Sequence, residues 1–331
     1  MKNVQVLFKS RPEREAGEEN FEIVETPIPP VGEGQMLRKT LWLSVDPYMR
    51  GRMSTARSYV PPAKLGEPMV GQTVAQVVES NDPRFSAGDF VLTSDGWQAY
   101  AVGDAKGLRR LDPSQAPVSW ALGVLGMPGL TAYVAVLDIG QPKAGETVVV
   151  SAAAGAVGSI AGQIAKAKGC RVVGTAGSDE KCTYVKNDLG FDDCINYRTA
   201  DLKTAFEAAC PNGIDIYVDN VGGKVLEAVL RRINKHARIP LVGLISQYSD
   251  AKPGPGPNLG PILVNRALIR GMIVFDHLER MADFLRDVGQ WLREGTIKYR
   301  EDVIVGLENA PRAFLGLFRG ENLGKRIVKV A

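Results

Sequence analysis

Residues 151–181 read SAAAGAVGSIAGQIAKAKGCRVVGTAGSDEK, and this stretch decides the fold. It follows Thr147-Val148-Val149-Val150, a β-branched apolar run that reads as a buried strand. Ala152, Gly155 and Gly158 then stand in A-x-x-G-x-x-G spacing and open a helical run from Ile160 to Lys168. Glycine at such a turn lets backbone N–H groups approach a pyrophosphate at the positive end of the helix. A second apolar strand, Arg171-Val172-Val173, follows. A bare G-x-x-G is usually an ordinary turn, but inside a strand–turn–helix–strand frame it points to a dinucleotide.

The end of that second strand selects the nucleotide. Sites that prefer NAD carry an acid there, about 20 residues beyond the glycines, to accept from the ribose hydroxyls. Here the chain reads Gly174-Thr175-Ala176-Gly177-Ser178, with Lys181 one turn into the next helix. A carboxylate repels a 2′-phosphate, whereas an ammonium and hydroxyl donors attract it. The loop therefore suits NADP(H). Taken alone, Lys181 also reads as a solvated residue paired with Asp179 or Glu180.

Outward from this unit, the texture differs on the two sides. Residues 4–100 alternate strand-like runs (VQVLF, FEIVETPIP, MLRKTLWLSVD, MVGQTVAQVVES, DFVLTS) with turns such as PPVGEGQ and NDPRFSAGD, a mostly β lobe. From about Leu125, strands alternate with helix-length segments, which makes parallel crossovers and a doubly wound sheet. The last expected strand of that sheet is MIVF, Met272–Phe275, before a helix over His277–Glu294. YREDVIVG and GKRIVKV then return to β texture and can complete the first lobe. A Pro/Gly loop, AKPGPGPNLG, spans 251–260.

A chain of 331 residues exceeds one usual core, so two lobes are expected. A formal charge of +3, with basic residues scattered, argues against a nucleic-acid or anionic-membrane partner. The uncharged windows Pro113–Leu137 and Thr147–Ala165 reach spanning length, but glycines and prolines break the first and the glycine turn interrupts the second. The first twenty residues carry charges throughout and no apolar export signal. The four cysteines fall between 170 and 210 without a close C-x-x-C pair, and only His236 and His277 accompany them. Reduced cysteines in a cytoplasmic protein, with no zinc cage or disulfide framework, are the expectation.

Seven strings occur in order along nearly the whole chain: DPYMRGRM (46–53), MPGLTAY (127–133), AAAGAVGS, GSDEK, DNVGG (219–223), GLISQY (243–248) and ENLGK (321–325). Together they resemble the zinc-independent branch of the medium-chain dehydrogenase/reductase family, in its leukotriene B4 dehydrogenase, prostaglandin reductase and double-bond (curcumin) reductase group. GEPMVG (66–71) lacks the histidine that zinc alcohol dehydrogenases carry beside the equivalent glutamate, and no cysteine precedes residue 170.

The resemblance implies an α/β fold with two domains. A mostly β, GroES-like catalytic domain would comprise residues 1–124 and 290–331, and a Rossmann doubly wound parallel sheet residues 125–289. It also implies a homodimer, with the late strand at Met272–Phe275 pairing edge to edge, and an NADPH-dependent reduction of the C=C bond of small α,β-unsaturated ketones and aldehydes. In that group's pattern Gly155, Ala156, Val157 and Gly158 hold the pyrophosphate, and Ser178, Lys181 and Tyr197 face the adenosine phosphate. Asn220, Val242, Gly243, Leu244, Ile245, Ser246, Met272, Ile273, Val274 and Asn322 lie toward the ribose and nicotinamide. Asn220 and Asn322 also read simply as turn and cap residues.

Hydride delivery to the β-carbon builds charge on the carbonyl oxygen, and without zinc a hydroxyl must donate to it. Tyr248 of ISQY is the first choice and Tyr48 of DPYMR the second, with the nicotinamide ribose hydroxyl as a competitor. Either ring could instead be an aromatic wall. A quinone reductase, or a protein that binds NADPH without turnover, are the competing readings.

Overall fold

The computed structural model describes residues 2–248 and 256–331. The chain divides into two compact units, one comprising 1–122, 301–322 and 326–331, the other 123–300 and 323–325.

The first unit opens with an antiparallel hairpin, β1 (Lys2–Phe8) and β2 (Phe21–Pro27). Then follow β3 (Gln35–Ser44), a short helix α1 (Tyr48–Arg52), β4 (Thr73–Ser80), β5 (Phe90–Thr93), β6 (Tyr100–Asp104) and β7 (Arg109–Leu111). The last two were not distinguished in the sequence because they are short and carry little alternation. Trp97 is buried outright and stacks on Phe21 with ring centroids 5.2 Å apart, and Phe314 meets both rings edge-on. Burial of each such ring contributes about 1.5–3 kcal/mol.

The second unit begins with α2 (Met127–Val134) and then β8 (Thr147–Val150), α3 (Gly158–Ala167), β9 (Arg171–Ala176), α4 (Asp179–Asn187), β10 (Asp193–Asn196) and α5 (Leu202–Ala209). It continues through β11 (Ile214–Val218), α6 (Gly223–Leu230), β12 (Ile233–Leu241), α7 (Gly260–Asn265), β13 (Leu268–Gly271) and α8 (Met281–Arg293). Its strands pair in parallel in the order β10-β9-β8-β11-β12-β13. Counted from the first strand of this sheet the order is 3-2-1-4-5-6, the doubly wound arrangement. Its strand order reverses between β8 and β11, and doubly wound sheets take their ligands at the strands' C-terminal ends beside such a reversal.

Two expectations shift. The strand expected at Met272–Phe275 lies instead at Leu268–Gly271, in register with Arg238–Leu241. The ladder ends because β12 stops at Leu241, which accepts from Met272 N; the apolar residues beyond find no partner strand and turn into the 3-10 segment Val274–Arg280. The return to the first unit falls at Glu301 rather than 290. Helix α8 stays with the second unit: Phe284 packs edge-on to Tyr133 of α2, whose hydroxyl donates to Asp287 at 2.6 Å. Gln163 of α3 also holds Lys298 through two hydrogen bonds, of 2.9 and 2.7 Å. Of the Pro/Gly loop, residues 251–255 lie outside the described residues.

The chain closes with β14 (Glu301–Val305), α9 (Ala310–Arg319) and β15 (Lys325–Lys329). These complete the first unit's seven-stranded sheet, ordered β14-β15-β3-β4-β5-β7 with β6 paired to β3.

Candidate functional site

The turn after β8 is built by small residues at close quarters. Ala152 takes φ of 50°, and its carbonyl accepts from Gly155 N at 2.9 Å. A Cβ on Gly158 would stand 2.3 Å from that same oxygen, and one on Gly155 3.1 Å from it, so only glycine lets the turn close at 158. Ala153 N donates to Thr175 O at 3.0 Å, which fastens the turn to β9, and Gly324 N donates to Ala154 O at 2.8 Å. Gly155, Ala156 and Val157 are half-buried, so the turn is open to a ligand, while Gly158 is buried at the head of α3. Among the described residues the backbone N–H groups of Ala156 and Val157 donate to no other part of the chain. Two such donors at a helix N-terminus suit a phosphate oxygen.

At the strand-order reversal, the β8 and β11 turns are tied through Ser151 and Asp219. Asp219 is completely buried, and its Oδ1 accepts from Tyr217 Oη (2.7 Å), Ser151 Oγ (3.2 Å), Val221 N and Gly222 N (both 2.9 Å). Burial drives the Asp219 carboxyl above its ordinary pKa, against the four donors that favour its charge. Asn220 donates its backbone N–H to Ser151 Oγ at 2.9 Å and its side-chain amide to Ser151 O at 2.8 Å. The amide nitrogen of Asn220 thus closes the turn. The sequence singled out Asn220 within DNVGG and passed over Asp219, which organises both turns; an acid in a motif at the end of an apolar strand was the available signal.

The segment after β12 crosses toward the same turn. Val242 N and Gly243 N donate to Asp219 O at 2.8 and 3.1 Å, Ile245 N to Asn220 O at 3.4 Å, and Ser246 Oγ to Val221 O at 2.6 Å. Tyr248 folds back on this segment, and its hydroxyl oxygen accepts from Leu244 N at 3.4 Å. Burial raises the phenol's pKa, with the Leu244 N–H opposing, so Tyr248 stays protonated with its O–H free to donate. Met272 and Val274 are buried and Ile273 half-buried, just beyond β13.

At the far end of β9, Ser178 caps α4 by accepting from Lys181 N at 3.3 Å. Asp179, the first residue of α4, has its Oδ1 accepting from Asn196 Nδ2 at 2.7 Å. Tyr197 reaches this corner: its hydroxyl lies 3.0 Å from where a Cβ on Gly177 would stand. Arg198, whose Nε lies 3.4 Å from the same point, and Lys224, whose Nζ is 5.6 Å from the Tyr197 ring centroid, add two cations that the sequence reading missed. Their link is made by packing across β10 and α6, which linear spacing does not report.

Tyr48 and Asn322 belong to the first unit. Tyr48 opens α1, and burial followed by the neighbouring Asp46 carboxylate raises its phenol well above its ordinary pKa. Asn322 is half-buried in the turn after α9. The second unit alone therefore brings together the remaining candidates, in three groups: the β8 turn, the β9–β10 corner and the segment after β12.

A doubly wound sheet with this turn at its reversal point defines a dinucleotide-binding fold, and comparison with known proteins narrows it. Residues 4–111 match the family described as the N-terminal domain of oxidoreductase, and residues 156–289 that described as zinc-binding dehydrogenase. The chain is 49% identical over 336 residues to the NADPH-dependent curcumin reductase of Escherichia coli (strain K12), covering 100% of this chain and 97% of that protein. It is 46% identical over 316 residues to prostaglandin reductase 1 of Rattus norvegicus, covering 94% of each. To the 2-alkenal reductase (NADP(+)-dependent) of Nicotiana tabacum it is 42% identical over 335 residues, covering 99% of this chain and 98% of that protein. The crystal structure of CurA in complex with NADPH from Vibrio vulnificus superposes with a TM-score of 0.95 at 49% identity, covering 99% of each chain. The chain belongs to the medium-chain dehydrogenase/reductase family, in the group of the curcumin and prostaglandin reductases.

Proposed function

We propose that this protein reduces the C=C bond of small α,β-unsaturated ketones and aldehydes with NADPH. The observation that carries the reading is the composition of the reversal-point site: a glycine turn open to a pyrophosphate, a β9 strand end that carries no acid from Gly174 to Ser178 and has cations beside it, and a protonated Tyr248 on the adjoining segment. Gly155, Ala156, Val157 and Gly158 would hold the pyrophosphate, and Ser178, Lys181 and Tyr197, with Arg198, the 2′-phosphate. Asn220, Val242 to Ser246 and Ile273 would line the ribose and nicotinamide, Met272 and Val274 contributing backbone because their side chains are buried; Asn322 is carried as a further nicotinamide contact from its motif. Bound NADPH supplies the hydride. Tyr248 donates a hydrogen bond to the carbonyl oxygen as charge gathers there, with Tyr48 as the second donor, and a proton taken up from solvent at the α-carbon completes the saturated carbonyl.

Zinc has no part in this reading. The second matched family is named for zinc, yet the first unit's residues include neither cysteine nor histidine. Among the described residues no cluster of three or more His, Cys, Asp or Glu could hold a metal. We place the protein in the cytoplasm, whose thiol pools keep cysteines such as its four free ones reduced at rest. No helix among the described residues is long and apolar enough to cross a membrane. A homodimer is supported by β13, which forms one edge of its sheet, and by the exposed Leu263, Val264, Leu268, Phe275 and Leu278 around it.

The test is an anaerobic panel of enals, enones and quinones followed by NADPH oxidation. Turnover of enones and enals above quinones is expected. Turnover of quinones alone would make the protein a quinone reductase, and tight binding without oxidation of any would make it a non-catalytic NADPH binder.

A further inference from the structure

The four cysteines are not equivalent. Cys170 and Cys210 are buried apart from each other, and burial pushes both thiols up to about 11, so they remain protonated and inert. Cys182 of α4 and Cys194 of β10 instead face each other, with Cys194 Sγ donating to Cys182 Sγ at 2.8 Å. That hydrogen bond draws the Cys182 thiol below its ordinary value, which favours the thiolate. A disulfide needs the sulfurs at about 2.0 Å, so the pair is less than one ångström of approach from a bond. Cys182 is buried, whereas Cys194 lies on the edge strand of the sheet and is half-buried, so Cys194 is the side from which a small oxidant meets the pair.

The position of the pair is as specific as its geometry. Cys182 follows Lys181 directly, in the helix that Ser178 caps. Cys194 lies two residues before Asn196, whose amide holds Asp179, and three before Tyr197. The sulfurs therefore connect the two elements that carry the candidate 2′-phosphate residues. Of the two, β10 is pinned by its ladder to β9, Cys194 standing opposite Gly174. Closing the bond must then be met mainly by the first turn of α4, and Lys181 moves with it.

We propose that Cys182 and Cys194 form a redox-active dithiol, closed to an intramolecular disulfide by peroxide and reopened by thiol reductants, which lowers affinity for the 2′-phosphorylated dinucleotide when oxidised. The Cys182 thiolate attacks one peroxide oxygen; the O–O bond breaks, Cys182 becomes a sulfenic acid, and the other oxygen leaves as water. The sulfur of Cys194 then attacks Cys182 Sγ, forming the S–S bond as the S–O bond breaks and a second water leaves. Two thiols are oxidised and one peroxide is reduced to two waters. An external dithiol reverses the step by exchange. The affinity part rests on the assignment of the β9–β10 corner to the 2′-phosphate. The pyrophosphate turn is untouched, so NADH binding stays constant.

The experiment uses the full chain, titrated with hydrogen peroxide, alkylated and peptide-mapped, with NADPH and NADH affinities measured by nicotinamide fluorescence before oxidation, after it, and after dithiothreitol. The expected result is a Cys182–Cys194 cross-linked peptide that dithiothreitol removes. The NADPH Kd should rise by about ten- to 150-fold, what loss of one charge-assisted contact costs, and NADH should not change. Cys182→Ser and Cys194→Ser should each bind NADPH like the reduced parent and form no cross-link with peroxide, and in Cys194→Ser the oxidation of Cys182 should stop at a sulfenic acid that dimedone traps. Sulfinic or sulfonic acids without the cross-link, or a cross-link that leaves the NADPH Kd unchanged, would overturn the proposal. The two readings fail separately. A reduced protein without preference for NADPH overturns the dinucleotide assignment, whereas a protein that prefers NADPH but forms no cross-link overturns the switch.

Discussion

Replacing Gly158 by alanine should cripple the dinucleotide turn, and the structure sets the size of the effect. The new Cβ would stand 2.3 Å from Ala152 O, 2.9 Å from Ala152 C and 3.0 Å from Ala153 Cα. All three atoms are backbone, so no side chain can swing aside; the turn itself must open, moving the Ala156 and Val157 N–H groups off any phosphate. Overpacking of this kind costs about 1–3 kcal/mol. For a domain of this size that is roughly a 2–12 °C fall in Tm. Because the pyrophosphate is common to both cofactors, NADPH and NADH should weaken together. Two controls bracket the reasoning. Gly155→Ala meets the same oxygen at 3.1 Å and should be milder. Gly162→Ala, on the same helix but against the Phe191 ring at 1.8 Å, should lower Tm and leave cofactor affinity nearly intact. Differential scanning fluorimetry and nicotinamide fluorescence titrations read both quantities. A Gly158→Ala protein with parental Tm and parental NADPH affinity would refute the close-approach account of the turn.

Lys181→Ala should weaken NADPH by about 1.5–3 kcal/mol, ten- to 150-fold, and leave NADH nearly unchanged in the same titration; equal loss for both would make the lysine a fold residue. Tyr248→Phe should spare cofactor binding and lower kcat on an enone by up to about 10²- to 10³-fold, with Tyr48→Phe non-additive in the double mutant if the two share the task. Since burial raises the Tyr248 pKa, its neutral donor form persists up to and beyond the ordinary value of about 10. A pH profile of kcat should therefore show no descending limb from this residue below that value; a limb there that vanishes in Tyr248→Phe would contradict the raised pKa while keeping the phenol in the reaction. Exhaustive chelation should leave activity unchanged, and metal analysis should find no stoichiometric zinc; activity tracking residual zinc would overturn the metal-free reading.

The β8–α3–β9 unit was legible because each of its signals is local: a β-branched run, glycines at fixed spacing, a helical apolar period and Ser178 before Asp179 and Glu180. What failed was decided at a distance. Met272–Phe275 has strand composition, but whether it pairs depends on where β12 ends, and β12 ends at Leu241 because the next residues turn onto Asp219. The late domain boundary was hidden for the same reason: Phe284 and Asp287 of α8 answer to Tyr133, and Lys298 to Gln163, across more than a hundred residues of chain. Within the candidate site, Lys181 could be argued from charge alone, whereas Tyr197 entered only through the family resemblance. Arg198 and Lys224 were not legible at all, since nothing in their spacing brings them to the β9 end. The Cys182–Cys194 pair is the sharpest case: twelve residues apart in no recognised motif, the two sulfurs meet only because α4 packs against β10.

The central claim is a hydride passed to the β-carbon of an enone or enal, and isotope tracing tests it most directly. NADPH carrying deuterium at the transferable position should be oxidised by the protein with an α,β-unsaturated ketone, and the product analysed by mass spectrometry and NMR. The account predicts a saturated ketone with one deuterium on the β-carbon and the carbonyl intact. An allylic alcohol with deuterium on the carbinol carbon, or NADPH oxidised only when a quinone is supplied, would contradict it.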